Sequence, residues 1–421
     1  MKTNAVRLYG KMDLKLEEFE LPDIKDDEIL VQVIADSICM STLKAVSLGA
    51  EHKRVPDDVD KNPIIIGHEF SGIIRQIGSK WKSKYTVGGR FSLQPALNYK
   101  GSMDSPGYSY RYCGGDATYA IIPPEVMELD CLIPYSGEDY FRAALSEPYS
   151  CVIGACRSMY RTNPEAHTHE MGLKKDGVMA ILGGCGPMGL AAMDYAMSCE
   201  KRPSRIVITD MVDYRIRRAK SIFSEKANKS GVELIFINPA EKDNSYNEIM
   251  EFTGNRGFDD ILVMVISSSV LEEAFKILAY NGCLNFFAGP TDNSFSATVN
   301  YYEIHYAEKH IIGTTGGNAE DMREALKMME KSELLPESLI THIGGLDAVS
   351  DSTLNLDKIP GGKKLIYTNI SMPLTSLEDI QNSDSNSELL TNLKEFLNKN
   401  NGLWSTEAEK YLLVNAVPIS R

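Results

Sequence analysis

Residues 178–198 read VMAILGGCGPMGLAAMDYAMS. The apolar run VMAIL has the length of a buried strand, and Leu190, Met193 and Met197 then fall on one face of a helix. Between them Gly184, Gly186 and Gly189 form G-x-G-x-x-G, with Pro187 and Met188 in the gap. The first glycine permits the tight turn, the second lets backbone approach a pyrophosphate, and the third lets helix pack on strand. The helix start then offers free N–H groups and a positive dipole end to phosphate. Glycine-rich turns also arise for structural reasons alone, so the context decides. Asp210 ends the next strand, RIVIT, 21 residues after Gly189, where a carboxylate can accept from both ribose hydroxyls and repel a 2′-phosphate. This favours NAD(H). Arg215, with Arg217, Arg218 and Lys220 close by, leaves NADP(H) open; the bland reading of that run is the solvated face of a helix.

Outward from this motif, strand-like and helical patterns alternate: DYRIRRAKSIF, VELIFIN, DDILVMV, SVLEEAFKILA, CLNFFAG, HIIGTT and AEDMREALKMME. Such a series predicts a doubly wound parallel sheet with helices on both faces. Upstream the texture differs. AVRLYG, EILVQVIA, PIIIGHEFSGIIRQIG, GGRFSLQP and TYAIIPPEV are short runs broken by Gly, Pro and Asp, which predict a β-rich domain with little helix up to about Met159. After Ile370 a polar stretch, SLEDIQNSDSNSE, leads into the helical patterns LLTNLKEFLNKN and TEAEKYLL. The expected division is residues 1–159, 160–315, 316–371 and a helical extension at 372–421.

Composition narrows the functional classes. A chain of 421 residues, 43% hydrophobic and 24% charged, has material for more than one core. Its net charge of −14 disfavours nucleic acid and anionic membrane as partners. Eight scattered cysteines without a C-x-x-C pair fit a reducing cytoplasm rather than a disulfide framework. The N-terminal MKTNAVRLYGKMDLKLEEF has no apolar core of an export signal, and no apolar run reaches about 18 residues.

The chemistry-bearing side chains upstream are Cys39 in DSICMST, His68 and Glu69 in IIIGHEFSG, and Glu147 in ALSEPYS. One thiolate, one imidazole and two carboxylates match the donors of a catalytic zinc, which keeps one position open. Each also has a dull explanation: a buried thiol is usually a small hydrophobe, a Glu before Pro often starts a helix, and neighbours on a strand point to opposite faces. Gly67 bears on the last objection, since a glycine at a bend can let His68 and Glu69 both turn toward one ion. Ser41 stands ready to pass a proton or simply to cap a helix. Lys44, His52, Lys53 and Arg54 are an unusual cluster in so acidic a chain, suited to the phosphate of a substrate or to solvent. His167 and His169 form an H-x-H pair read as ordinary loop, and Lys363 and Lys364 are read as candidates for the cofactor pyrophosphate or as surface residues.

The order of Cys39, the GHE motif with its following glycine, the VGGR turn, Glu147 and GCGPMG resembles the zinc-dependent medium-chain alcohol and polyol dehydrogenases over nearly the whole chain. HKRVP, GYSYRYCGGDATY, NFFAGPTDN, YYEIHYAEKH, GTTGGN and LWSTEAEKYLL narrow the likeness to the L-sorbose 1-phosphate reductase branch, whose members share the C-terminal extension. The resemblance implies a GroES-like catalytic domain built from both ends of the chain, a Rossmann domain between, and an active site in the cleft. It implies zinc on Cys39 and His68, with Glu69 and Glu147 supplying the remaining carboxylate directly or through water. Many relatives carry four closely spaced cysteines for a structural zinc, where this chain has only Cys113, so one catalytic zinc per chain and no structural one is expected. Many also carry a histidine where this chain has Lys44. The implied reaction is hydride exchange between a ketose phosphate and a polyol phosphate, L-sorbose 1-phosphate to D-glucitol 6-phosphate. An unphosphorylated polyol such as sorbitol is the rival substrate, and a nucleotide-binding sensor without chemistry is the rival class. A homo-oligomer, dimer or tetramer, is expected.

Overall fold

Apolar β-branched runs that are buried on both faces need helices on both sides, and strands Val178–Leu182, Arg205–Thr209 and Phe258–Val263 in the middle of the chain have that character. The computed structural model describes residues 1–241, 249–384 and 387–419. Two compact units divide it: residues 1–147, 318–332 and 336–421 form one, and 148–317 with 333–335 the other.

In the second unit the strands run Glu233–Ile237, Arg205–Thr209, Val178–Leu182, Phe258–Val263, Leu278–Phe286 and His310–Gly313 across the sheet, all parallel. Counted along the chain from Val178 the order is 3-2-1-4-5-6, which reverses direction beside Val178–Leu182 and opens a crevice at its carboxyl end. The glycine loop sits there. Helix Pro187–Ser198 follows it with Gly186 as its N-cap and proline in the first turn, where a missing N–H removes nothing the helix needs. Ala180, Leu182, Val207, Ile261, Val263 and Leu284 build the core on one face of the sheet.

The first unit holds an eight-stranded sheet in which Ile29–Ile38 is central, flanked by Lys363–Tyr367 on one side and Ser71–Ile77 on the other, both antiparallel to it. A segment near the end of the chain therefore pairs with one near the start. A smaller three-stranded sheet joins Lys2–Gly10 to Asp13–Glu20 and Ile64–Ile65. The GroES-like and Rossmann architecture is thus present, with the parallel sheet in one unit and the mixed sheet in the other.

One long element departs from the sequence reading. Phe141–Ser158 is a helix of 18 residues with Pro148 inside it, whereas little helix and a helix start near Glu147 were expected. Proline lacks the N–H of an interior turn, but Phe141, Ala144, Leu145, Tyr149, Val152, Ile153 and Cys156 are all buried, and that apolar face outweighs one absent bond. The C-terminal region is helical as read, in Leu377–Asn382, Glu388–Lys399 and Thr406–Asn415; residues 385–386 and 420–421 lie outside the described ones. Within the polar stretch Leu377–Asn382 is itself helical, and Ser376 caps it by accepting from Asp379 N. Leu393, Leu397, Trp404, Ala408 and Leu412 pack into the same core as Leu365 and Tyr367. Among the described residues no helix is long and apolar enough to cross a membrane.

Trp404 is 1% exposed in that core. Trp404→Ala is expected to destabilise its unit by about 3–5 kcal/mol, read as a lower urea midpoint by circular dichroism.

Candidate active site

Four elements of the first unit converge on one buried cluster. Cys39 follows strand Ile29–Ile38 and is the N-cap residue of helix Met40–Leu48. His68 and Glu69 lie just after Ile64–Ile65. Glu147 comes from helix Phe141–Ser158, and Lys363 begins strand Lys363–Tyr367. One donor atom from each of Cys39, His68 and Glu69 lies within 4.8 Å of the other two, the sole such group of three or more among the described residues. Gly67 makes this possible. Its φ is +88°, a region L side chains rarely adopt, and a methyl group there would collide with the Asp36 carboxylate and stand 2.7 Å from Asp116 N.

The charges in this cluster are arranged against one another. Lys363 Nζ donates to both oxygens of Glu69, and both residues are buried. Burial works upward on the Glu69 carboxyl, but the charges of Lys363 and then His68 bring it below the usual carboxylate range. Burial works downward on Lys363, yet Cys39 and Glu69 hold it above the usual lysine range. On Glu147 burial first, then the charge of Glu69, outweighs His68 and Lys363 and pushes the carboxyl up to about 7. Burial also pushes the Cys39 thiol up and the His68 imidazole down. A half-buried thiol, a neutral imidazole and a crowded carboxylate are groups that a divalent cation would bring to their ligating forms. The donor set therefore fits a zinc ion.

Around these groups the hydrogen bonds fix the imidazole. His68 Nδ1 faces Thr42 Oγ1 at 3.3 Å, and Nε2 lies 3.3 Å from Ser41 Oγ and 3.2 Å from Tyr108 Oη. With Nδ1 bonded to Thr42, Nε2 is the nitrogen left for a metal. Ser41 donates to Cys39 Sγ at 3.1 Å and accepts from Tyr108 at 2.8 Å. Behind the cluster Asp36 Oδ1 accepts from Glu69 N at 3.0 Å, while Asp36 Oδ2 and Asp116 Oδ1 are buried without a partner. Burial pushes both of these carboxyls up, and on Asp36 the charge of Asp116 adds to it, so the pair holds a proton.

The basic cluster is drawn to the same place. The Tyr108 ring lies 4.8 Å from the His68 ring, 5.9 Å from His52 in a stacked arrangement, and 5.3 Å below the Arg54 guanidinium. Burial, then Arg54, Lys53 and Lys44, lowers the His52 imidazole, so every charge acting on it is positive. Arg54 Nε is buried without a partner. The Lys53 side chain is exposed, and Lys44 is partly buried.

In the other unit, Gly189 lies so close to the turn that a methyl group would collide with Gly184 O, whereas one on Gly186 would meet nothing within 4 Å. Gly186 thus borders open space at the start of helix Pro187–Ser198, with no side chain capping it, which fits a pyrophosphate. Asp210 Oδ2 accepts from Cys185 N at 3.1 Å and Oδ1 from Val212 N at 3.0 Å, so it braces the glycine loop and keeps lone pairs for a ribose. Pro187 and Met188 open the helix, and Arg215 lies in the first turn of Asp213–Ser230.

Two sequence readings need correction. Lys363 is committed to Glu69, and Lys364 donates to the carbonyls of Ile359, Pro360 and Gly362, so their ammonium groups are spent within their own unit rather than offered to a pyrophosphate. The His169 ring lies tilted against Tyr160, centroids 4.4 Å apart, in the hairpin Tyr160–Asn163/Thr168–Met171, with His167 at its turn. Thr42, Tyr108, Asp36, Asp116 and Lys363 as a partner of Glu69 were not found from sequence. Only Lys363 carried a signal, being a lysine that opens an apolar strand.

The family model for zinc-binding dehydrogenases matches residues 187–331, and that for the alcohol dehydrogenase GroES-like domain matches 25–130. The chain belongs to the zinc-binding medium-chain dehydrogenase family and is an oxidoreductase. It is 43% identical over 418 residues, 99% of each chain, to L-sorbose 1-phosphate reductase of Klebsiella pneumoniae. Mannitol-1-phosphate 5-dehydrogenase of Aliivibrio fischeri is 43% identical over 413 residues, 98% of this chain and 97% of its own. Among solved structures, 2R,3R-butanediol dehydrogenase from Bacillus subtilis shares the fold with a TM-score of 0.72 at 23% identity, covering 87% of this chain and 100% of its own.

Lys363→Met leaves the Glu69 charge buried and uncompensated, and should destabilise the unit by about 3–5 kcal/mol. Adding Glu69→Leu should recover most of the loss in a thermal-melt double-mutant cycle; no recovery would mean that the two groups do not depend on one another.

Proposed function

We propose that the protein is a zinc-dependent, NAD(P)-linked oxidoreductase that interconverts a ketose phosphate and a polyol phosphate, L-sorbose 1-phosphate and D-glucitol 6-phosphate being the pair of first choice. The observation that carries this reading is the Arg54–His52 pair set on the Tyr108 ring, directly beside the Cys39–His68–Glu69 donors. A phosphate needs cations without carboxylate partners, and Arg54 makes no ion pair among the described residues. The names of the two 43% relatives support the same substrate class.

Cys39 and His68 would hold one zinc ion, and the carboxylates divide the remaining work. Lys363 donates to both oxygens of Glu69, and Glu147, crowded by Glu69, His68 and Cys39, is the carboxylate that would complete the set. When bound, zinc supplies Lewis acidity at the carbonyl or hydroxyl oxygen of the substrate. The dinucleotide would be held with its pyrophosphate at Gly184, Gly186, Pro187, Met188 and Gly189, with Asp210 on the ribose and Arg215 close to it, and its nicotinamide supplies or takes the hydride when bound. Asp210 favours NAD(H) over NADP(H), because a 2′-phosphate would meet its charge.

Ser41 Oγ would relay the proton of the alcohol, accepting it as its own hydroxyl proton passes on toward solvent. It is the hydroxyl that contacts both Cys39 and His68, and Tyr108 Oη is bonded to it. Thr42 keeps His68 in the tautomer whose Nε2 can ligate. Arg54 and His52, with Lys44 and Lys53 raising the local positive potential, orient the phosphorylated end of the substrate. Residues 1–159 and 316–371 serve as the catalytic domain, 160–315 as the cofactor domain and 372–421 as an appended helical part, in a cytoplasmic homo-oligomer.

The test couples metal analysis to NADH consumption over ketose phosphates and their unphosphorylated forms. One zinc per chain, lost in Cys39→Ala, and turnover of a ketose phosphate are expected. Arg54→Ala should raise KM for the ketose phosphate at least about tenfold while leaving KM for NADH unchanged. A wild-type preference for sorbitol over its phosphate would remove the phosphate from the reading.

A further inference from the structure

We propose that the C-terminal helical extension is a positioning element of the metal cluster, acting through one buried carboxylate, Glu409. The inference rests on the reading of Glu147 as a ligand.

The helix that carries Glu147 begins at Phe141, and its first N–H groups need acceptors. Asp139, the acid placed by sequence to supply one, is occupied elsewhere. It accepts from Tyr135 at 2.9 Å, Thr406 at 2.6 Å and Arg142 at 2.7 Å. The acceptor comes instead from the far end of the chain. Glu409 Oε1 accepts from Tyr140 N at 2.6 Å and Glu409 Oε2 from Phe141 N at 2.9 Å. Glu147 stands six residues after Phe141, about 9 Å further along a rigid helix, so the direction set at the first turn is transmitted to it.

The same carboxylate reaches the other side of the cluster. Glu409 Oε2 also accepts from Tyr367 Oη at 3.1 Å, and that hydroxyl accepts from Trp404 Nε1 at 2.7 Å. Tyr367 shares a strand face with Lys363, four residues earlier, which holds Glu69. One group from helix Thr406–Asn415 therefore ties the element bearing Glu147 to the element bearing the counter-charge of Glu69. Burial pushes the Glu409 carboxyl up to about 8, and a buried acid is a poor choice for packing alone. The apolar side chains Leu393, Leu397, Ala408 and Leu412 already seat the extension against Phe141, Ala144 and Leu145. The matches to the two sugar-phosphate relatives span 98–99% of this chain and so take in most of the extension.

The test compares Glu409→Gln with Leu393→Ala, which weakens the same core without touching these bonds. Zinc affinity by chelator competition, kcat, KM for NADH and melting temperature are measured on the full chain. Glu409→Gln should lower zinc affinity about 10-fold or more and lower kcat several-fold at saturating zinc, with KM for NADH unchanged. Leu393→Ala should melt earlier and keep wild-type zinc affinity. Tyr367→Phe, which removes one donor to Glu409 and the acceptor of Trp404 Nε1, should give a smaller loss of the same kind, and it serves alone if Glu409→Gln does not fold. Wild-type zinc affinity and kcat in Glu409→Gln, or equal zinc loss in Leu393→Ala, would overturn the proposal. A wild-type chain that binds no zinc would overturn the metal-site reading instead.

Discussion

Glu69 is a carboxylate buried to 1% exposure, and such a charge persists only where another charge meets it. Lys363 does so from 294 residues away. For that pairing to exist, the strand that starts at Lys363 must lie beside Ile29–Ile38, which brings the end of the chain back to its beginning. The rest of the cluster follows from this closure. With Glu69 neutralised, the remaining carboxylate, thiol and imidazole are left to share one small buried volume in forms that favour a cation between them.

The parts beyond the donors have a common logic. Gly67 turns two successive side chains inward because no side chain of its own intervenes. Thr42 and Ser41, consecutive on one helix, contact opposite nitrogens of His68 and so fix the plane of its ring. Tyr108 joins the polar and the basic sides of the pocket, with its hydroxyl on Ser41 and its ring under Arg54. The aromatic face is what allows a guanidinium to stand close to ligands that prefer a positive ion.

Elements governed by local rules were legible in the sequence. The parallel sheet could be read because strand-length apolar runs alternate with helical ones, and the glycine loop because each glycine answers a separate steric demand. The helix Phe141–Ser158 could not, since Pro148 argues against it locally and only its buried face, a property of the folded chain, argues for it. Cys39, His68, Glu69 and Glu147 stood out by residue type, whereas their division of labour did not. The partner of Glu69 lies near the other end of the sequence, and Tyr108 sits in a loop without periodicity. Asp36 and Asp116 look like ordinary strand-end and turn acids until burial is known. Lys363 was misdirected for the same reason: a lysine tells nothing of which carboxylate it will find.

The closure has a temporal side. Ribosomes make the chain from its N-terminus, so Cys39, His68 and Glu69 emerge long before Lys363 and Glu409 exist. Until the last part is translated, the central strand lacks one neighbour and the buried acid has no counter-ion. Closure of the buried cluster therefore waits on the strand that begins at Lys363 and on the helix that carries Glu409.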